Sequence, residues 1–360
     1  MIRPAEAASS GLYDPPALSG DEPLGSVLRS EPLAAPDGIQ ARAVLYVSTG
    51  SDAARTAVSG IVLAPDGPSP EGDRPILAWA HFTVGLADRC APSHLGVTGE
   101  FLDVARPFLA RGHVVAATDY EGLGTPGPHP YIVGLSEGRS VLDSARAAQR
   151  LPGFGAGSQV AMLGISQGGH AALWAAELAP TYAPEFHVRA VVAVAPAGDL
   201  AGIARWTLGP GGTPVAWLNM VMVLSAWHEV YGLSLDTVLT AEARELAAAL
   251  RSSCLDFELA PSEQPLAADP GAVAGWREQV QANTPGAART PAPILVVQGT
   301  DDDQIPLHTT VSLVRRLREI GDDVELRIID GGDHEVGLFG PGRLDEIQVW
   351  IAERLNEAGL

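Results

Sequence analysis

The chain has 360 residues, 46% of them hydrophobic and 18% charged, with Gly 40 and Pro 29, enough apolar material for a large core cut by many turns. Its formal net charge of −20 repels phosphate backbones and anionic headgroups, which argues against nucleic acid and favours a small neutral partner. No apolar run reaches the roughly 20 residues that span a bilayer, so no integral membrane segment is expected. Met1–Ser30 lacks the basic-then-apolar pattern of a secretory signal, which leaves both export and cytoplasmic residence open.

Residues 1–40 are rich in Pro, Gly and Ala without a sustained period and read as an extended arm packed on the core, with regular structure starting after them. Ala41–Ser48 and Thr56–Ala64 are short β-branched runs around a Gly50-Ser51-Asp52 turn, the pattern of an antiparallel hairpin. From Pro75 strands and helices alternate. Pro75–Phe82, His113–Tyr120, Gln159–Ile165 and Val188–Ala195 read as strands, separated by helices over Phe101–Arg111, Ser140–Leu151 and Gly168–Leu178. Such alternation predicts a mostly parallel sheet with helices on both faces.

The rhythm stops between about Ala197 and Ala292, where Gly and Pro clusters surround Trp206, Trp217 and Trp227 and a helix-forming run, Ala241–Arg251. So long an interruption reads as an inserted cap. Pro293–Gln298, Leu307–Ile320, Val324–Ile329 and Arg343–Asn356 then resume the order strand, helix, strand, helix. The expected division is therefore an arm (1–40), an α/β catalytic domain (41–198 and 292–360) and a cap (199–291).

A serine hydroxyl is a poor nucleophile and needs exposure, an adjacent base and N–H donors for the developing oxyanion. Gly164-Ile165-Ser166-Gln167-Gly168 lies between a predicted strand and helix, where flanking glycines permit the tight turn that exposes the serine. Gly134-Leu135-Ser136-Glu137-Gly138 matches the same pentapeptide. No buried strand leads into it, and Glu137 would put negative charge beside an oxyanion, so Ser136 reads as part of a helix N-cap region. An orienting acid and a base are expected at later strand ends. The run Asp301-Asp302-Asp303 follows one such strand, and His334 is the member of the nine histidines that stands just past the last. His308 is a rival base but lies close to the acids at a helix start. Backbone N–H groups of Thr83, after the strand Pro75–Phe82, and of Gln167 are the candidate oxyanion donors. This is the α/β-hydrolase arrangement with an inserted, mainly helical cap, and no cofactor or metal is called for. The two cysteines, Cys90 and Cys254, form either one long-range bridge or two thiols.

Several stretches also carry a family resemblance. Asp119-Tyr120-Glu121-Gly122-Leu123-Gly124 with Pro128-His129-Pro130-Tyr131, Ser166-Gln167-Gly168-Gly169, Ala179-Pro180-Thr181-Tyr182-Ala183-Pro184-Glu185 and Asp88-Arg89-Cys90-Ala91-Pro92-Ser93 resemble the secretory lipases of fungal lipase-A type. The resemblance implies Ser166 as nucleophile, His334 as base, Asp302 in preference to its neighbours as the acid, and a helical cap over about Leu200–Thr290. It also implies a Cys90–Cys254 disulfide and with it an exported protein. Many relatives have His-Gly where this chain has His81-Phe82, a departure at the oxyanion loop that implies a narrower acyl pocket. The expected activity is serine-dependent hydrolysis of short- to medium-chain acyl esters, with acyl transfer by the same serine, or ligand binding on a hydrolase scaffold, as alternatives.

Overall fold

The computed structural model describes residues 11–69 and 73–356; positions 1–10 of the expected arm lie outside the described residues. The arm is not wholly irregular. Within it β1 (Val27–Pro32) forms a strand antiparallel to β2 (Ile39–Thr49), with Ser30 opposite Val44. Its half-buried sequence VLRSEP has no clear alternation, so it becomes a strand by pairing with β2 rather than through its own pattern. β2 and β3 (Arg55–Pro65) form the expected hairpin.

The alternating part follows as β4 (Arg74–Ala80), α1 (Gly99–Leu109), β5 (Val114–Thr118), α2 (Gly134–Gln149), β6 (Ala156–Ile165), α3 (Gln167–Tyr182) and β7 (His187–Val194). Four helices then intervene: α4 (Leu200–Leu208), α5 (Pro214–Tyr231), α6 (Ala241–Leu250) and α7 (Trp276–Ala282). β8 (Ile294–Gly299), α8 (Leu307–Glu319), β9 (Val324–Ile329), α9 (Val336–Phe339) and α10 (Arg343–Asn356) complete the described residues.

The strands form a nine-stranded sheet ordered β1-β2-β3-β5-β4-β6-β7-β8-β9. β1, β2, β3 and β5 pair antiparallel, and every pairing from β5 through β4 to β9 is parallel. Parallel strands buried on both faces need continuous apolar runs. β4, β6, β7 and β8 have them, with α2, α3 and α8 packed on one face and α1 and α10 on the other. This is the α/β-hydrolase class read from the sequence. Because β6 to β9 run in the same direction, their carboxyl ends lie along one edge.

α4 to α7 build a third apolar cluster, in which Leu218, Trp227 and Trp276 pack with Tyr131, Ile132 and Val133 from the loop before α2. α5 is apolar around most of its circumference because it is enclosed by this cluster. Its ends nevertheless carry local signals: Thr213 accepts from the Ala216 N–H, Pro214 occupies the first turn, and Gly232 closes the helix at φ 68°, which glycine adopts at little cost.

Candidate active site

Ser166 sits between β6 and α3 with φ 58° and ψ −117°, a conformation costing on the order of 1–3 kcal/mol that persists only where the surroundings enforce it. The flanking glycines explain the enforcement. A Cβ on Gly164 would lie 2.0 Å from the Gly168 carbonyl oxygen, and one on Gly168 would lie 1.9 Å from that of Ala80. Strand, turn and helix therefore meet at distances that only glycine allows. The Ser166 backbone N–H is used by the Val194 carbonyl at 2.9 Å, whereas Gln167 opens α3 and its N–H has no intrahelical acceptor.

Two strands further along the sheet, the turn after β8 carries the three aspartates. Asp302 is buried, while Asp301 and Asp303 are exposed. Asp302 Oδ1 accepts from the backbone N–H groups of Gln304 (2.9 Å) and Ile305 (2.8 Å). Its Oδ2 accepts from Gln298 Nε2 (2.7 Å) and from His334 Nδ1 (2.8 Å). With its lone pairs engaged by donors, this carboxylate is fixed in place and fixes the imidazole. Gln298, buried in β8, is in turn oriented by Thr310, whose hydroxyl donates to Gln298 Oε1 at 2.6 Å. No local motif marks Gln298 for this part.

His334 follows β9 on the Asp330–His334 turn, which closes against β8: Asp301 N–H donates to the Gly332 carbonyl (2.8 Å) and Gly331 N–H to Thr300 Oγ1 (2.8 Å). Its Nδ1 is committed to Asp302, and Nε2 has no hydrogen bond among the described residues. His308 is exposed at the start of α8. The structure thus brings Asp302 and His334 into contact and sets Ser166 on the same sheet edge, with no hydrogen bond between Ser166 and His334 among the described residues. A hydrogen bond between nucleophile and base often forms only once substrate is bound.

Ser166 and Gln167 face a narrow apolar cavity of about 50 Å³ under α4 and α5, walled by Leu200, Ile203, Met220 and Trp227. Thr83 is buried beside this wall, its Oγ1 hydrogen-bonded to Tyr131 Oη at 2.8 Å. On its other side lies a larger hollow of about 410 Å³, lined by Phe82, Thr83, Phe101 and Phe339. Phe82 turns toward Phe339, ring centroids 6.5 Å apart, and is absent from the lining of the narrow cavity.

Cys90 and Cys254 form a disulfide with Cα atoms 5.3 Å apart. Leu86 N–H donates to the Ser253 carbonyl (3.1 Å) and Leu255 N–H to that of Val84 (2.8 Å), so covalent and backbone bonds together tie the segment before β8 to the loop carrying Thr83. Gly85 is required there, since a Cβ at its φ of 114° would lie 2.4 Å from the Cys254 Cα.

The second pentapeptide lies in the first turn of α2, which begins at Gly134 rather than near Ser140 and has no side-chain cap. Ser136 Oγ donates to Glu121 Oε2 at 2.5 Å. Glu137 is fully buried and bonded to His170 and Gln167, a role absent from the sequence reading. Burial holds two neighbouring histidines in the neutral form, His81 down to about 4 and His129 down to about 3. It also pushes Asp119 up to about 6, against hydrogen bonds from Ser59 and Ser93 that favour its charge.

Comparison with known proteins bears on the fold. Residues 95–255 match the secretory lipase family and residues 273–358 the prolyl oligopeptidase family. A "probable inactive lipase" of Mycobacterium tuberculosis is 29% identical over 65% of this chain and 54% of its own length. Lipase A of Moesziomyces aphidis is 32% identical over 33% of this chain and 27% of its own. The chain spans about half or less of the length of these curated relatives. Among solved structures, Candida antarctica lipase A superposes with a TM-score of 0.76 at 18% identity, covering 93% of this chain and 85% of that one. The rice cell wall degrading esterase LipA from Xanthomonas oryzae does so with a TM-score of 0.74 at 20% identity, covering 93% and 99%; at such identities the likeness is one of fold. The sheet, the strained serine turn and the two matched segments together give the chain the α/β-hydrolase fold, and its residues 95–255 are similar to the secretory lipase family.

Proposed function

We propose that the protein is a serine carboxylic-ester hydrolase with Ser166 as nucleophile, His334 as general base and Asp302 as the residue that orients it. The observation that carries this reading is the Asp302–His334 hydrogen bond of 2.8 Å, on the sheet edge where β6 presents a strained serine. His334 Nε2 takes the Ser166 proton as Oγ attacks the ester carbonyl, and the N–H groups of Gln167 and Thr83 receive the oxyanion. The alcohol leaves with the proton from His334, and water, activated by the same nitrogen, releases the acid from the acyl-enzyme.

In this reading residues 199–291 act as a cap on the catalytic domain formed by 41–198 and 292–360, with the N-terminal arm alongside. The cavity beside Ser166, about 50 Å³, is small next to the several hundred Å³ common for ligand pockets, which favours short acyl groups unless the cap yields. The closed apolar wall also favours acyl transfer to an alcohol as a second reading, since it limits the water that competes for the acyl-enzyme. The disulfide and a relative described as a "secreted triacylglycerol lipase" of Malassezia globosa support an exported protein.

A series of p-nitrophenyl esters of increasing acyl length, with fluorophosphonate labelling, tests the reading. Turnover highest at short to medium chains and label on Ser166 are expected. An unlabelled Ser166 in folded protein sinks the hydrolase reading in favour of a binding role, and product analysis with a competing alcohol separates hydrolysis from transfer.

A further inference from the structure

A second buried histidine–carboxylate pair lies beneath the nucleophile turn and takes no part in the proposed chemistry. Glu137 Oε2 and His170 Nδ1 are 2.6 Å apart, and both side chains are wholly inaccessible. His170 Nε2 lies 2.8 Å from the Asn283 carbonyl oxygen, which can only accept, so Nε2 bears a proton. A further proton is shared between Nδ1 and Glu137 Oε2. Whether it rests on the imidazole or the carboxyl, the pair carries no net charge. The objection that Glu137 would place negative charge near an oxyanion therefore does not hold.

The same carboxyl group grips the residue after the nucleophile. Glu137 Oε1 accepts from Gln167 Nε2 at 2.9 Å and from the Ile132 N–H at 2.9 Å. The other hydrogen of the Gln167 amide donates to His129 Nε2 at 3.0 Å, while His129 Nδ1 donates to the Glu121 carbonyl at 2.8 Å. That fixes His129 as the neutral Nδ1–H tautomer, and both N–H bonds of the Gln167 side chain are consumed. Asn283, at the end of α7, closes the network. Its carbonyl also accepts from Trp174 Nε1 (3.1 Å), and its Oδ1 from the Gly134 N–H (3.0 Å).

We propose that Glu137, paired with His170 and assisted by His129, is a positioning residue for the oxyanion donor: it clamps the Gln167 side chain so that the Gln167 backbone N–H is held toward the reacting carbonyl, and through Asn283 it links that donor to the helices between β7 and β8. The inference rests on Ser166 being the nucleophile. A fixed donor matters because its value lies in needing no reorganisation when charge develops, and small misplacements of catalytic groups cost about a hundredfold.

The test compares Glu137→Ala and Glu137→Gln with the wild type, using a p-nitrophenyl ester and an alkyl trifluoromethyl ketone that mimics the tetrahedral adduct. Glutamine keeps an acceptor for Gln167 and Ile132 and offers His170 an N–H in place of the shared proton, so it satisfies the network. Glu137→Ala is expected to lower kcat about ten- to a hundredfold with KM within about twofold, and to weaken the ketone by the same factor. Glu137→Gln is expected to restore both to within about threefold of wild type, a rescue that general loss of packing does not predict.

Wild-type kcat and ketone affinity in E137A overturn the proposal, as does a folded E137Q that fails as badly as E137A. Should E137A not fold, His129→Phe removes one anchor and leaves the Glu137–His170 pair whole. Its kcat is expected to fall about three- to tenfold at unchanged KM, and wild-type kcat overturns the proposal. A wild type without any ester turnover overturns the hydrolase reading and this inference with it; an active wild type matched by its variants overturns this inference alone.

Discussion

The loops after β8 and β9 and the core between α2 and α3 each hold a histidine bonded to a buried carboxylate, yet the two pairs are built differently. At Asp302–His334 the carboxylate is saturated by donors and the outer imidazole nitrogen has no partner among the described residues. At Glu137–His170 the outer nitrogen is tied to the Asn283 carbonyl and both side chains are fully buried. A histidine serves as a base only through a nitrogen left free to receive a proton. In the proposed reading the first pair transfers a proton, and the second holds its surroundings still.

Exchanging losses between the pairs is the sharpest way to break this comparison. His334→Ala and Ser166→Ala are each expected to cut kcat by about 10⁴-fold or more while leaving the melting temperature nearly unchanged; ester turnover and thermal unfolding of the same preparations check both halves. Asp302→Asn follows, with about a 10³- to 10⁴-fold fall in kcat, because the amide no longer enforces the His334 tautomer. If H334A instead unfolds the protein and His170→Ala only slows it, the assignment of roles is reversed.

His170→Ala leaves a buried carboxyl without its partner and is expected to cost about 3–5 kcal/mol of stability, read by denaturant titration. Replacing Cys90 and Cys254 by serine opens a loop with a sequence separation of 164 and is expected to cost about 2–4 kcal/mol, with a larger loss of activity than of secondary structure because the bond anchors the Thr83 loop. Far-UV circular dichroism beside turnover checks that split.

The most gradual effect concerns acid. His129 and His81 have folded values depressed to about 3 and about 4 from an ordinary 6.5. Their contribution is present above pH 6.5 and is lost as pH falls through those values. Asp119 opposes them: raised to about 6 from 3.8, it contributes fully below pH 3.8 and loses that contribution as pH rises through 6. The melting temperature should therefore drop on acidification from pH 6.5, and His129→Phe should flatten the drop. An identical profile in the variant removes His129 from the account.

Much of the scaffold was legible in the chain. Alternating apolar runs marked β4 to β9 with their helices, and Gly164 and Gly168 flanked the serine turn. The disulfide, implied by family resemblance alone, is present. Less visible were β1, α5 and the early start of α2. β1 depends on pairing with β2, and α5 is enclosed on most sides and shows no one-sided stripe, although Thr213, Pro214 and Gly232 marked its ends.

The sequence by itself determined where the reactive residue types stand relative to strand ends, because strand periodicity and turn glycines are local properties. Only the tertiary structure decided which aspartate of three is buried, that Gln298 orients it, and that Glu137, in the first turn of α2, meets Gln167 and His170, with the Asn283 carbonyl beyond, in one network. Those choices depend on which donors arrive from residues far apart in the chain, and local pattern carries no record of that.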